Sequence, residues 1–351
     1  MYDCSDDVLA YHDDEVTLPG AERTAMRKRR DANRERLTKG LSEAKKPAPL
    51  QFKSQGSYAM RTMTQHPDND YDIDDGVYFA KEDLVGERGA EMIALQARQM
   101  VRDAVDDGGF KTPPEVRNNC VRVYYKAGYH VDLPVYRRVT AKDAFGNESH
   151  FYELASTDWK RSDARDVTAW FDKENDAQSP DTENGRQLRR VVREIKKYAR
   201  SRSSWKAQIL SGFGITKLVT ECFHGVADRE DKALHDTMKA IRDRLKWNLV
   251  VQHPVTPGDT ITKGNEDPKA KFLREKLDEA LANLAPLFDS DCDSQKALKC
   301  WDKVYATEFF SDCYKPVSKA SSSVAAPALA GLFSGREPEA AVRKDGGGRY
   351  A

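Results

Sequence analysis

Three short runs of this 351-residue chain hold side chains able to do chemistry together. They are Gln55-Gly56-Ser57-Tyr58-Ala59-Met60, then Asp70-Tyr71-Asp72-Ile73-Asp74-Asp75-Gly76, and finally His130-Val131-Asp132-Leu133-Pro134. In a strand, residues two apart share a face, so Asp72 and Asp74 stand side by side while Tyr71, Ile73 and Asp75 point the other way. Neighbouring carboxylates repel, and hard oxygen ligands of this kind suit Mg²⁺ or Mn²⁺, whose coordination shell substrate phosphates complete. A third acid, Asp132, lies between Val131 and Leu133, which supply a buried face, and shares the opposite face with His130. Upstream, Gly56 lets the backbone approach a phosphate closely, and the Ser57 hydroxyl with the free N–H groups of the following turn can bind a triphosphate. The order is phosphate cradle, paired acids, third acid. It suits a two-metal site in which one ion activates an attacking 3′-hydroxyl and the other neutralises departing pyrophosphate, with Asp132 helping to activate the hydroxyl. A Gly-Ser pair alone is a turn, and D-x-D alone is surface decoration at a strand end. Their conjunction says more, because an acid inside an apolar strand is costly to bury without compensation.

An α+β lobe is expected to position these runs. Residues 20–45, rich in Arg, Glu and Ala and free of proline, predict a long polar helix that Pro47 and Pro49 stop. Strands are predicted over Tyr71 to Ala80, Val121 to Tyr125 and Tyr129 to Arg137, with Lys126-Ala127-Gly128 as a hairpin turn. Between them, Gly86 to Val105 carries a helical apolar stripe. From about residue 156 helices take over, predicted near 163–171, 185–200, 211–224, 228–247, 267–288 and 289–308. Beyond Pro316 the composition shifts to Ser, Ala, Pro and Gly. The expected organisation is a catalytic lobe over 1–155, a helical lobe over 156–316 and a flexible tail over 317–351, with the active site in the cleft between the lobes.

Lys+Arg and Asp+Glu number 57 each, so the molecule as a whole is no glove for polyanions. A nucleotide site must be local, and no nucleic acid is expected to be required. The strip Arg189, Arg190, Arg193, Lys196 and Lys197 is such a local cationic feature, and it reads either as a phosphate contact or as a solvated helix face. The six cysteines show neither a C-x-x-C pair nor zinc spacing, which suits a reducing compartment. With no apolar run of bilayer length and an acidic N-terminus, the expectation is a cytoplasmic protein without a membrane partner.

The runs above, with Pro134-Val-Tyr136, Ser162-Asp-Ala-Arg-Asp-Val-Thr-Ala-Trp170-Phe171 and Leu188-Arg-Arg-Val-Val-Arg-Glu-Ile-Lys196, resemble in the same order the bacterial cGAS/DncV-like nucleotidyltransferases, the CD-NTases of CBASS anti-phage defence. The resemblance covers roughly residues 20–310 and points to the DncV branch of the DNA polymerase β-like superfamily. It implies a polymerase β-like lobe with a mixed sheet and flanking helices, joined to a helical second lobe. Asp72, Asp74 and Asp132 would be the metal-binding catalytic acids, with Gln55, Gly56 and Ser57 gripping the donor phosphates. Lys196 and Thr216 match the lysine and the hydroxyl that reach the triphosphate in the family, and Met60 stands where the branch has an aromatic, so a base would pack on Met60 or Tyr58. Related synthases that share operons with ubiquitin-like E1/E2 enzymes are joined to a target through their C-terminus, which here is Gly346 to Ala351.

The function these readings imply is a cyclic-oligonucleotide synthase using ATP, GTP or other NTPs, with Mg²⁺ (or Mn²⁺), to make a 3′,3′-linked di- or trinucleotide. Cyclic GMP-AMP is the leading product. One alternative keeps the catalytic core and changes the acceptor to RNA, a protein or an antibiotic, although RNA tailing calls for a basic channel that the balanced charge does not favour. Another is a non-catalytic nucleotide-binding scaffold, against which stand three intact acids whose mutual repulsion a retired site has no reason to keep.

Overall fold

The computed structural model describes residues 1–66, 72–86, 89–125 and 128–313. The chain opens with helix Ser5–Tyr11 (α1), which runs into a π-helical turn over His12–Val16. Pro19, with φ already fixed for helix entry, precedes the long helix Gly20–Glu43 (α2). Strand Gln51–Gln55 (β1), the single turn Gly56–Ala59 (α3) and strand Asp72–Ala80 (β2) follow. Helix Ala94–Val105 (α4) leads to strands Glu115–Val116 (β3), Val121–Tyr124 (β4), His130–Leu133 (β5), Val135–Lys142 (β6), Glu148–Ala155 (β7) and Trp159–Arg161 (β8). Then come helices Ala164–Gln178 (α5), Gln187–Ala199 (α6), Gly212–Cys222 (α7) and Glu230–Trp247 (α8). Pro268–Leu284 (α9), Ser294–Tyr305 (α10) and Phe309–Asp312 (α11) complete the described chain.

The fold is α+β, as expected. Among the described residues the strands form one mixed sheet of eight, ordered β3-β4-β5-β2-β6-β7-β8, with β1 paired to β2. β2 is its middle. One side of β2 runs antiparallel to β1, with Gln55 opposite Asp74, and the other runs parallel first to β5 and then to β6. Pro134 divides β5 from β6 because it has no N–H to give the ladder, yet its carbonyl accepts from the Val77 N–H at 2.8 Å and keeps both strands on the same edge of β2. Odd-numbered Val77, Phe79, Val131, Leu133 and Val135 bury one face against Leu37 of α2 and Val101 of α4. The even-numbered positions, with the acids, lie on the other face.

A second core belongs to the helices. α6 is its axis, with Leu188, Val191, Val192 and Ile195 fully buried, and α7, α8, α9 and α10 pack round it. The N-terminal segment joins this core. The Tyr11 ring lies 4.6 Å from that of Tyr305 and 4.8 Å from that of Phe310, and the Ser5 hydroxyl accepts the Glu230 N–H at 2.8 Å, capping α8 from outside.

Three elements differ from the sequence expectations. The helix foreseen from Gly86 begins only at Ala94, because Val85 bridges to Glu91 and the Gln96 side chain accepts the Ile93 N–H at 3.1 Å to start the helix there. The strand foreseen over Tyr129 to Arg137 is β5 and β6, and β6 runs on into a hairpin with β7. α1 was not foreseen. Asp70 and Tyr71, the Lys126-Ala127 part of the hairpin turn, and the tail 317–351 with its Ala351 terminus lie outside the described residues. No described helix is long and apolar enough to cross a membrane.

Candidate active site

The glycine turn and the first acids are built against each other. β1 delivers the chain to Gly56, whose φ of +64° is a conformation that suits only glycine without strain. A β-carbon there would lie 2.0 Å from Asp74 Oδ2, so the missing side chain is what lets the turn sit on the carboxylate. Gln55 is buried, and its side-chain oxygen accepts the Tyr136 hydroxyl at 3.2 Å.

The parallel pairing of β2 with β5 sets Asp72 beside His130 and Asp74 beside Asp132. Asp72 Oδ2 lies 3.2 Å from His130 Nε2. Asp132 is 5% exposed and is held in a two-pronged ion pair by Arg122, the residue opposite it on β4, with Nε and Nη2 at 2.8 and 2.7 Å. One ligand atom each from Asp72, His130 and Asp132 falls within 4.8 Å of the others, a spacing that a divalent cation can bridge. Burial, and then the charges of Asp72 and Asp132, push the Asp74 carboxyl well above the usual range. For Asp72 burial acts upward too, but the hydrogen bond and charge of His130, with Arg122 and Lys196, bring it below the ordinary value. The carboxylates with one neighbouring imidazole form a mainly oxygen ligand set that a divalent metal fits. A cavity of about 590 Å³, within the range that holds small-molecule ligands, opens over Asp74 and Asp132 and is lined also by Asn118, Asn119, Cys120 and Tyr136.

The cationic strip of α6 is not a solvated face. Arg189, Arg190, Arg193 and Lys196 are all less than a tenth exposed. Arg190 pairs with Glu230 and Asp181 inside the helical core. Lys196 Nζ donates to the Thr62 carbonyl at 2.6 Å, and burial, with the charge of Arg200, lowers its pKa to about 7 despite the opposing pull of Asp72 and Asp74. It abuts the start of α7, where a β-carbon on Gly212 would lie 3.0 Å from Lys196 Cε. Thr216, one turn along, is buried and donates its hydroxyl to the Gly212 carbonyl at 2.8 Å. Met60 is 3% exposed and its side chain packs into the helical core, while Tyr58 is the part-exposed ring near the turn.

Sequence reasoning placed His130 on the acids' face without giving it a part in the cluster, and missed Arg122. Both were reachable. A hairpin closed at 126–128 puts Tyr124 opposite His130 and therefore Arg122 opposite Asp132.

Residues 50–136, which contain the turn and all three acids, match the family model of the nucleotidyltransferase domain of cyclic GMP-AMP synthase DncV-like proteins. The whole described architecture is similar to solved DncV structures. A Vibrio cholerae DncV cyclic AMP-GMP synthase in complex with the linear intermediate 5′ pppA(3′,5′)pG is 18% identical, with a TM-score of 0.66 over 87% of this chain and 96% of that one. The same Vibrio cholerae protein with nonhydrolyzable GTP is 17% identical, at a TM-score of 0.67 over 87% and 96%. An Escherichia coli DncV in its 3′-deoxy GTP bound form is 16% identical, at 0.65 over 84% and 93%. At these identities the likeness establishes the fold, and the family match is to the nucleotidyltransferase domain over residues 50–136.

Proposed function

Proceeding from a DncV-like nucleotidyltransferase domain in a DncV-like fold, we propose that this chain is a cyclic-oligonucleotide synthase that links nucleoside triphosphates and closes them into a ring. The observation that carries the reading is the pairing of Asp72 with His130 and of Asp74 with Asp132, beside a glycine turn that touches Asp74. In this reading Asp72, Asp74 and Asp132 hold Mg²⁺, or Mn²⁺ in its place, which when bound supplies charge neutralisation and a more acidic 3′-hydroxyl. Gly56 and Ser57 seat the donor triphosphate, and Lys196, electrostatically coupled to Asp72 and Asp74, stands ready to exchange the Thr62 carbonyl for a phosphate oxygen. The acceptor enters the cavity over Asp132, where its 3′-oxygen bonds the α-phosphorus as pyrophosphate leaves. Repeating the step within the linear product closes the ring. A purine product such as 3′,3′-cyclic GMP-AMP is favoured because the similar Vibrio cholerae structure is that of a cyclic AMP-GMP synthase. A role in the cytoplasm in anti-phage signalling, the lobe limits at 155 and 316, and conjugation through Ala351 are extensions of the same proposal.

Labelled NTPs and Mg²⁺ incubated with the protein should yield a phosphatase-resistant product whose mass gives its bases and ring size. Asp72→Ala or Asp74→Ala should lower the rate by about 10³-fold or more, as expected when metal-borne charge stabilisation of several kcal/mol is lost. Equal behaviour of wild type and variants would refute the proposal, and nucleotides added to RNA or protein instead would redirect it to another acceptor.

A further inference from the structure

Of the four α6 cations that do not face Glu230, Lys197 donates to the Glu15 carbonyl at 2.6 Å and the other three serve one purpose. Arg189, Arg193 and Lys196 stand at i, i+4 and i+7, hence on one helix face. They donate to three consecutive carbonyls: Arg189 Nε to Met60 at 3.0 Å, Arg193 Nε to Arg61 at 2.9 Å and Lys196 Nζ to Thr62 at 2.6 Å. The same three residues return their N–H groups to the glycine turn, Met60 to the Gly56 carbonyl at 3.1 Å, Arg61 to Tyr58 at 3.1 Å and Thr62 to Ser57 at 2.8 Å. Each link in this double row therefore runs from α6, through one residue of the segment, into the turn that lies on Asp74.

The held segment would not keep its shape alone. Arg61 has φ of +56°, a left-handed conformation that costs a non-glycine residue energy and persists only where surroundings enforce it. The guanidinium groups are braced in turn. Arg189 also bonds Asp172 at 2.7 Å and the Gly185 carbonyl at 2.9 Å. Arg193 Nη1 donates to His12 Nε2 at 3.0 Å, while His12 Nδ1 bonds Asp13 at 2.8 Å, an arrangement that fixes the imidazole tautomer. Neither arginine lines the cavity over the acids.

We infer that Arg189 and Arg193 are positioning residues for nucleotide binding: they touch no reacting atom, but set the Gly56–Ser57 turn against Asp74 from the helical side through the carbonyls of Met60 and Arg61. The inference rests on the proposed function for its consequence and on geometry alone for the hold itself. Lys196 completes the row.

Two variants of the full chain separate this role from a general structural one. Arg193→Met keeps the length and apolar stem and removes the donors, and Arg193→Lys restores a single donor. By hydrogen–deuterium exchange without nucleotide, Arg193→Met should exchange faster over residues 56–64, with α8 to α10 unchanged. Its affinity for ATP with Mg²⁺ should fall by roughly tenfold, the worth of one charge-assisted hydrogen bond, with KM rising more than kcat falls. Arg193→Lys should recover most of both. Should Arg193→Met not melt cooperatively, Arg189→Met carries the same test, since the charged partner it leaves behind, Asp172, is half exposed at 50%. Unchanged exchange over 56–64, loosening spread through the whole chain, or equal ATP affinity in wild type and variant would overturn the inference. Wild-type protein that binds no ATP would instead refute the proposed function, and the exchange measurement would still decide whether α6 holds the turn.

Discussion

Gly56 shows how little room the site leaves. Alanine there would bring a methyl group to 2.0 Å from Asp74 Oδ2 and force φ of +64° on a residue that resists it. Gly56→Ala should therefore lower nucleotidyl transfer by at least about 10²-fold, the scale of a 1 Å misplacement at a reacting centre. Its far-ultraviolet circular dichroism should stay that of wild type, since the clash is confined to the turn. Full activity in that variant would show that the turn does not need its contact with Asp74. At this scale the sequence was most legible where side-chain type and local geometry agree: the shared face of the even-numbered acids follows from strand alternation, and the turn from its glycine. The side chains of Gln55, Met60 and Thr216 were not, because what they touch depends on partners far along the chain. Burial of Met60 in the helical core and the bond between Gln55 and Tyr136 have no local signal.

Among elements, β2 joins the site to the rest of the sheet, and its reverse side carries a second demand. Asp75, with no exposed surface, receives Nε and Nη2 of Arg34 at 2.6 Å each and the Ser54 hydroxyl at 3.1 Å, tying α2 and β1 to the strand that bears Asp72 and Asp74. Arg34→Met would leave that carboxylate buried with one neutral donor, and should destabilise the protein by about 3 kcal/mol in urea unfolding. Adding Asp75→Asn should restore part of it, whereas two independent losses would point away from a coupled pair. The long helix α2 was foreseen from composition, yet the use of its arginines was not, and the same holds for α6. A run of Arg and Lys reads as a wet surface until the acceptors appear, and on α6 those are largely backbone carbonyls, which every sequence has and none displays. α1 escaped notice because seven residues with two acids show no periodic stripe, and β7 because its ESHFYELA run stays only partly buried until its last residue.

For the molecule as a whole, the helical core contains one unsatisfied charge carrier. Glu194 on α6 is fully buried, and neither carboxylate oxygen has a hydrogen-bond partner among the described residues. Burial, then the charge of Glu230, pushes its carboxyl well above the ordinary 4.5. The folded state thus holds this proton more tightly than the unfolded chain does. The contribution is fully present below the unfolded value, and stability is lost as pH rises from there toward the folded pKa. Glu194→Gln, which keeps the shape and cannot ionise, should raise the urea midpoint near neutral pH and flatten its decline between acid and neutral conditions. A variant as pH-dependent as wild type would place the titrating group elsewhere. The same core binds the N-terminal segment: the Cys4 N–H reaches Asp231 at 2.9 Å, the Tyr2 N–H reaches the Leu287 carbonyl at 2.6 Å, and His12 braces Arg193 from that segment. A chain still leaving the ribosome has translated its acids and its glycine turn long before the helices that α1 must meet. The sheet and its acids are thus made before α6, the helix that braces the turn. Products truncated before α6 would carry the acids and the turn without that brace.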